Sequence, residues 1–130
     1  MGHPLRETGA LLARVLIVDD DLPLAESTKK LLEALGHEAF VVTDHRRVLG
    51  AMRSLRPDVV LHDYNMPGLR WEEHLAELRQ DPVVGGIPLL LFTAAINVPD
   101  LERRLAFDGY VPKPFHPADL LQALGRVAQA

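Results

Sequence analysis

The run Asp58-Val59-Val60-Leu61-His62-Asp63-Tyr64-Asn65-Met66-Pro67-Gly68 constrains this chain more than any other stretch. Val59, Val60 and Leu61 form a short, nearly continuous apolar segment, the pattern of a parallel strand covered by helices on both faces. Met66-Pro67-Gly68 must end it, because proline cannot donate to a strand ladder and glycine supplies turn geometry. Asp63 is thus expected at the carboxyl end of a central strand, where open α/β sheets place their ligand sites. A carboxylate there is a nucleophile, a metal ligand or a helix cap.

The other segments alternate in kind. Arg14 to Val18 is a second buried-strand pattern and runs into Asp19-Asp20-Asp21. From Pro23 to Leu35, Leu24, Thr28, Leu31, Leu32 and Leu35 recur at helical spacing, with Pro23 in the first turn and Gly36 as the stop. Glu38 to Val42 is a third strand. Thr43 or Asp44 can cap a helix whose inner face is Val48, Leu49, Met52 and Leu55, ended by Pro57. Leu69 to Gln80 predicts a helix with Trp71, Leu75 and Leu78 inward. Ile87 to Phe92 is a strand leading to Thr93-Ala94-Ala95, and a shorter helix is expected from Pro99 to Ala106. Gly109 to Pro112 is a last strand. Pro117 opens a final helix with Leu120, Leu121, Leu124 and Val127 inward. Five β-α units in alternation imply an α/β parallel sheet with five helices, and right-handed crossovers favour the order 2-1-3-4-5. Pro112 suits an edge strand.

With 130 residues, the chain is expected to hold one domain over 14–130 behind a lead-in over 1–13 that is partly disordered or tag-derived. A net charge of −4 argues against direct nucleic-acid binding, and no apolar run is long enough to span a membrane, so a cytoplasmic protein is expected. The absence of cysteine removes disulfides, thiolate metal sites and a thiol nucleophile.

In the assumed strand order, one rim of the sheet collects Asp19, Asp20 and Asp21 from strand one, Asp63 from strand three, Thr93 from strand four and Lys113 from strand five. Clustered carboxylates repel unless a cation sits between them. All-oxygen ligands favour Mg²⁺, and a hydroxyl and an ammonium facing it suit a phosphoryl group. A carboxylate can itself be the nucleophile and carry an aspartyl phosphate.

These residues resemble a response-regulator receiver domain, of the flavodoxin-like, doubly wound, chemotaxis-regulator type. Four features occur in order over about residues 14–128: acids after strand one, Asp63-x-x-Met66-Pro67-Gly68, Thr93-Ala94, and Lys113-Pro114-Phe115. Singly each is weak; together at these spacings they are specific.

The resemblance implies that Asp63 accepts a phosphoryl group from a sensor histidine kinase or a histidine phosphotransfer protein, and that the chain is not a turnover enzyme. It implies Mg²⁺ held by Asp20, by Asp19 directly or through water, by Asp63 and by the backbone carbonyl of Asn65. Lys113 would pair with the phosphoryl group or with the free Asp63. Thr93 would bond a phosphoryl oxygen, and Tyr110 would turn inward behind it. The face of the fourth helix, fifth strand and fifth helix would then meet a downstream protein target or a fused output domain, in a monomer or weak homodimer. Asn65 and Ala95, two residues beyond Asp63 and Thr93, are expected to modulate acyl-phosphate hydrolysis, with an intermediate lifetime.

Plainer roles stand beside these. Asp21 reads as the first helix's cap, and Tyr110 equally as a half-buried edge aromatic. Alternation points His62 away from Asp63, into a hydrogen-bonded core position. His37, His45, His74 and His116 are expected at the surface. The sequence departs from the family at Leu69-Arg70-Trp71-Glu72, in a short stretch between Thr93 and Lys113 that contains Pro99, and at Pro112. Two other functions compete. A phosphohydrolase of the haloacid-dehalogenase kind would need a threonine that Asp19-Asp20-Asp21-Leu22-Pro23 lacks. A pseudo-receiver would be a phosphorylation-independent docking or dimerisation module.

Overall fold

The computed structural model describes residues 13–94 and 107–128. Five parallel strands, β1 (Arg14–Val18), β2 (Glu38–Val42), β3 (Val59–Asp63), β4 (Leu89–Thr93) and β5 (Gly109–Pro112), form one sheet in the order β2-β1-β3-β4-β5. Among the described residues the α-helices are α1 (Leu22–Ala34), α2 (Val48–Leu55), α3 (Trp71–Gln80) and α4 (Pro117–Ala128). The further helix expected over 99–106 lies outside them.

Alternation along the strands divides the core in two. Leu16, Val18, Val60, Leu89 and Leu91 face α2 and α3, meeting Val48, Met52, Leu75 and Leu78. Val15, Ile17, Val59, Leu61, Leu90 and Phe92 face the opposite way, onto Ala25 and Leu32 of α1 and Leu120 and Leu124 of α4. Strands buried on both faces need apolar side chains at odd and even positions alike, hence their continuous runs.

Local chemistry sets the boundaries. Asp21 caps α1, its Oδ1 accepting from the Leu24 amide at 3.1 Å, and Gly36 takes φ 95° beyond the helix end. Asp44 caps a short 3₁₀ turn, His45–Arg47, before α2. α3 begins at Trp71 and not at Leu69, because the Leu69 amide closes a turn onto Met66 O. β4 starts only at Leu89: Pro88 has no N–H and joins the ladder through its carbonyl, which accepts from Val60.

Two apolar assignments and one polar assignment are corrected. Leu35 forms the C-cap of α1 and is exposed, and Leu121 on α4 is exposed, its inward place taken by Ala123. His74, expected at the surface, is buried. The side chain of Val127 lies outside the described residues. Pro112 stands opposite Thr93 on β5, and the next amide, Lys113 N–H, bonds Thr93 O at 2.9 Å. Amides alternate in direction along a strand, so the donor that Pro112 lacks is on the outward side of the sheet.

Candidate functional site: an acidic cleft at the carboxyl rim

Val18 is paired with His62 across β1 and β3, so Asp19 and Asp63 leave neighbouring strands at the same level. The strand ends are pinned: Asp19 N–H bonds Val42 O at 3.1 Å and Tyr64 N–H bonds Phe92 O at 3.2 Å. Side chains at this rim therefore project from fixed backbone. Asp19 and Asp63 are buried at 0% and 4% exposure, while Asp20 is exposed at the mouth. One carboxylate oxygen from each of the three lies within 4.8 Å of the others.

Lys113 reaches this group from β5. Its Nζ donates to Asp19 Oδ2 at 2.9 Å and to Asp63 Oδ1 at 3.1 Å, and sits 4.5 Å from the centre of the Phe92 ring. The other Asp19 oxygen, Oδ1, accepts from the Asp21 amide at 3.0 Å, so the residue that caps α1 also orients the site. Thr93 is buried at the end of β4, beside β5. Tyr110 stands on β5 with its side chain 40% exposed. Asn65 is exposed on the loop beyond Asp63. Ala95 and Pro99 lie outside the described residues.

Electrostatics favours a cation here. Burial pushes the Asp63 carboxyl up to about 6 and Asp19 adds to the rise, against the Lys113 ammonium and the Asn65 amide. Burial works to lower Lys113, but its bonds to Asp19 and Asp63 prevail and hold it above the ordinary lysine range. Among the described residues one ammonium faces three carboxylates and does not balance them, and an all-oxygen set of this size fits a hard divalent ion. Beside Asp20 a groove of about 560 Å³ opens over Met66 and Pro67, which leaves the mouth accessible.

A second polar group lies beneath β3: His62 occupies the hydrogen-bonded core position expected of it, and its partner His74 is the residue that sequence reasoning missed. His62 is fully buried, its Nδ1 2.8 Å from Asp63 O and its Nε2 3.0 Å from His74 Nε2. A carbonyl only accepts, so His62 carries its proton on Nδ1. Its Nε2 then accepts from His74 Nε2–H. The Trp71 indole N–H donates to Tyr64 O at 2.9 Å, and the ring packs edge-on against His62 at 4.6 Å. The available signal was position: His74 lies three residues after Trp71 and four before Leu78, on the inward stripe of α3.

A parallel 2-1-3-4-5 sheet with this acidic rim defines a class of phosphoacceptor signalling domain. The family model described as "Response regulator receiver domain" matches residues 15–125, and the chain belongs to that family, the receivers of two-component signalling. It is 37% identical over 110 residues to the DNA-binding response regulator MtrA of Mycobacterium tuberculosis, covering 83% of this chain and 47% of that protein. The chain thus spans about half the length of the curated relatives it matches. Chemotaxis response regulator CheY4 of Vibrio cholerae superposes with a TM-score of 0.78 at 29% identity, over 89% of this chain and 98% of that one. The receiver domain of sensor histidine kinase PA1611 from Pseudomonas aeruginosa, with a magnesium ion coordinated in its active site cleft, shares the fold at 24% identity and a TM-score of 0.80, over 91% and 98%. No helix among the described residues is long and apolar enough to cross a membrane.

Proposed function

We propose that the chain is an Mg²⁺-dependent phosphoacceptor whose acceptor is Asp63. The observation that carries this is the ammonium of Lys113 shared between Asp19 and Asp63, with Asp20 close by. The phosphodonor is a sensor histidine kinase or a histidine phosphotransfer protein. An Asp63 oxygen attacks phosphorus, a P–O bond forms, the donor's P–N bond breaks, and the leaving imidazole keeps the N–P electron pair and takes up a proton.

Asp19, Asp20, Asp63 and the Asn65 carbonyl would hold the metal. When bound, Mg²⁺ neutralises charge on the incoming phosphoryl oxygens. Lys113 pairs with the phosphoryl group once Asp63 is phosphorylated, and Thr93 donates its hydroxyl to a phosphoryl oxygen. Tyr110 turns inward in response, and the face carrying β5 and α4 meets the downstream target or output domain. Asn65 and Ala95 modulate the rate at which the acyl phosphate hydrolyses.

Intact-protein mass after incubation with Mg²⁺ and acetyl phosphate tests the reading. One added phosphoryl group, dependent on Mg²⁺ and absent in Asp63→Asn, is the expected result. No gain with acetyl phosphate, with a kinase, or as beryllofluoride binding would leave the fold as a phosphorylation-independent docking module.

A further inference from the structure

Two consecutive carbonyls leave the acceptor strand, those of Asp63 and Tyr64, and a side-chain donor holds each from the α3 side. His62 Nδ1–H bonds the first at 2.8 Å and Trp71 Nε1–H the second at 2.9 Å. His74 braces His62 from α3 at 3.0 Å, and its ring lies 5.7 Å from that of Trp71. Trp71 also stacks on Tyr64, with rings 5.9 Å apart and nearly parallel, and meets Phe107 edge-on at 5.1 Å.

A general parallel strand does not need this. Its carbonyls are satisfied by neighbouring strands, and apolar packing alone would seat α3. The next residue after Tyr64 is Asn65, whose carbonyl the receiver reading places on the metal. Any adjustment of the Asp63–Asn65 backbone as the site fills must alter the two bonds, because hydrogen bonds weaken steeply with distance and angle.

We propose that His62, His74 and Trp71 form a polar strut that positions the acceptor strand's end and transmits occupancy of the acidic cleft to helix α3. This rests on the receiver reading and adds to it a route of signal transfer on the face of the sheet opposite α1 and α4. The three are positioning residues. None touches the phosphoryl group; they act through the backbone that aims Asp63 and Asn65. A strut from α3 makes that helix, and the loop residues Leu69 and Arg70 before it, responsive to the site.

The chain holds one tryptophan, so its indole emission and its single indole N–H resonance both report Trp71. The full chain is titrated with Mg²⁺ and then with beryllofluoride. Both signals are expected to change in step with occupancy and to stay constant in Asp20→Asn. His74→Leu removes the donor to His62 and is expected to raise the Mg²⁺ dissociation constant roughly 3- to 10-fold by calorimetry. His74→Gln keeps a donor and should return it to within about twofold of the parent. Trp71→Phe retains a packed ring without the N–H and should weaken Mg²⁺ in the same direction, which covers the case of an unfolded His74→Leu.

A silent indole in both titrations, or unchanged Mg²⁺ affinity in Trp71→Phe, overturns the strut. Phosphoryl gain with a silent indole removes the strut and leaves the phosphoacceptor. An indole response to Mg²⁺ without phosphoryl gain or beryllofluoride binding does the reverse.

Discussion

The ammonium of Lys113 lies 3.1 Å from the carboxylate of Asp63, and the two come from β5 and β3, strands that do not touch. Lys113 spans β4 to reach it, supported over the Phe92 ring, which in turn packs edge-on to Phe115 at 5.4 Å. The same ammonium holds Asp19, so one side chain supplies the counter-charge for two buried acids.

Lys113→Ala therefore leaves Asp19 and Asp63 facing each other with no cation between them among the described residues. The metal-free variant should be about 2 kcal/mol less stable, below the full cost of breaking a buried pair because the rim is open to solvent. Mg²⁺ should then raise its melting temperature by more than it raises the parent's, because the ion no longer competes with an ammonium. Thermal melts with and without Mg²⁺ check both; an equal or smaller Mg²⁺ shift in the variant contradicts the argument.

Asp63→Asn should stabilise the metal-free fold. The folded protein holds this carboxyl near 6, above its ordinary 3.8, so its charge at neutral pH opposes folding. Removing it should gain about 1 kcal/mol at pH 7, after allowance for screening at the open rim. The urea midpoint of the variant should lie above that of the parent at pH 7, and the gain should vanish below pH 4, where the carboxyl is neutral in either state.

Acid should weaken the fold through the buried imidazoles. Burial pushes His62 down to about 3 and His74 down to about 4, from an ordinary 6.5. Below pH 6.5 the unfolded chain therefore takes up protons that the folded chain refuses, and stability falls. Asp63 acts oppositely: between 6 and 3.8 the folded state binds the extra proton. Two imidazoles outweigh one carboxyl, for a net loss of about 3 kcal/mol between pH 7 and pH 5. In His74→Leu the difference between urea midpoints at the two pH values should shrink by more than half. An unchanged difference would show that His74 is not kept neutral by burial.

Two glycines should respond with opposite sign. Gly50 lies within α2 with nothing within 4 Å of where a Cβ would sit, so Gly50→Ala should add about 0.5–1 kcal/mol by reducing the freedom of the unfolded chain. A Cβ on Gly85 would collide with the carbonyl of Arg79 and come 2.6 Å from Asp81 O, both backbone atoms. Gly85→Ala should cost about 2 kcal/mol or more. Denaturation of the two variants beside the parent suffices.

The acidic rim was legible because strand ends announce themselves. An apolar run that stops at a carboxylate and a turn residue gives both the strand and the direction of its last side chain. β1, β2 and β3 accordingly begin and end where their patterns do. Helix faces were harder. The doublet Leu120-Leu121 offers two leucines to an inward stripe that takes one, and packing chose Leu120 with Ala123 and Leu124. His74 was misplaced because a histidine counts as polar in a hydropathy pattern. Its burial depends on a partner, His62, that is twelve residues away and on another element. Periodicity along one element cannot contain that pairing. The ammonium bridge from Lys113 to two acids followed only once strand order was assumed, since no spacing along the chain encodes it.

Pro112 has a consequence for how copies of this sheet meet one another. An edge strand with a free row of outward amides is a template on which another chain can add a strand. Here β5 ends the sheet on one side, and the outward donor nearest the cleft is replaced by a proline ring. Backbone pairing along this edge is interrupted after Tyr110, so β-addition and edge-to-edge stacking are disfavoured there. A protein that binds this edge must grip it through side chains.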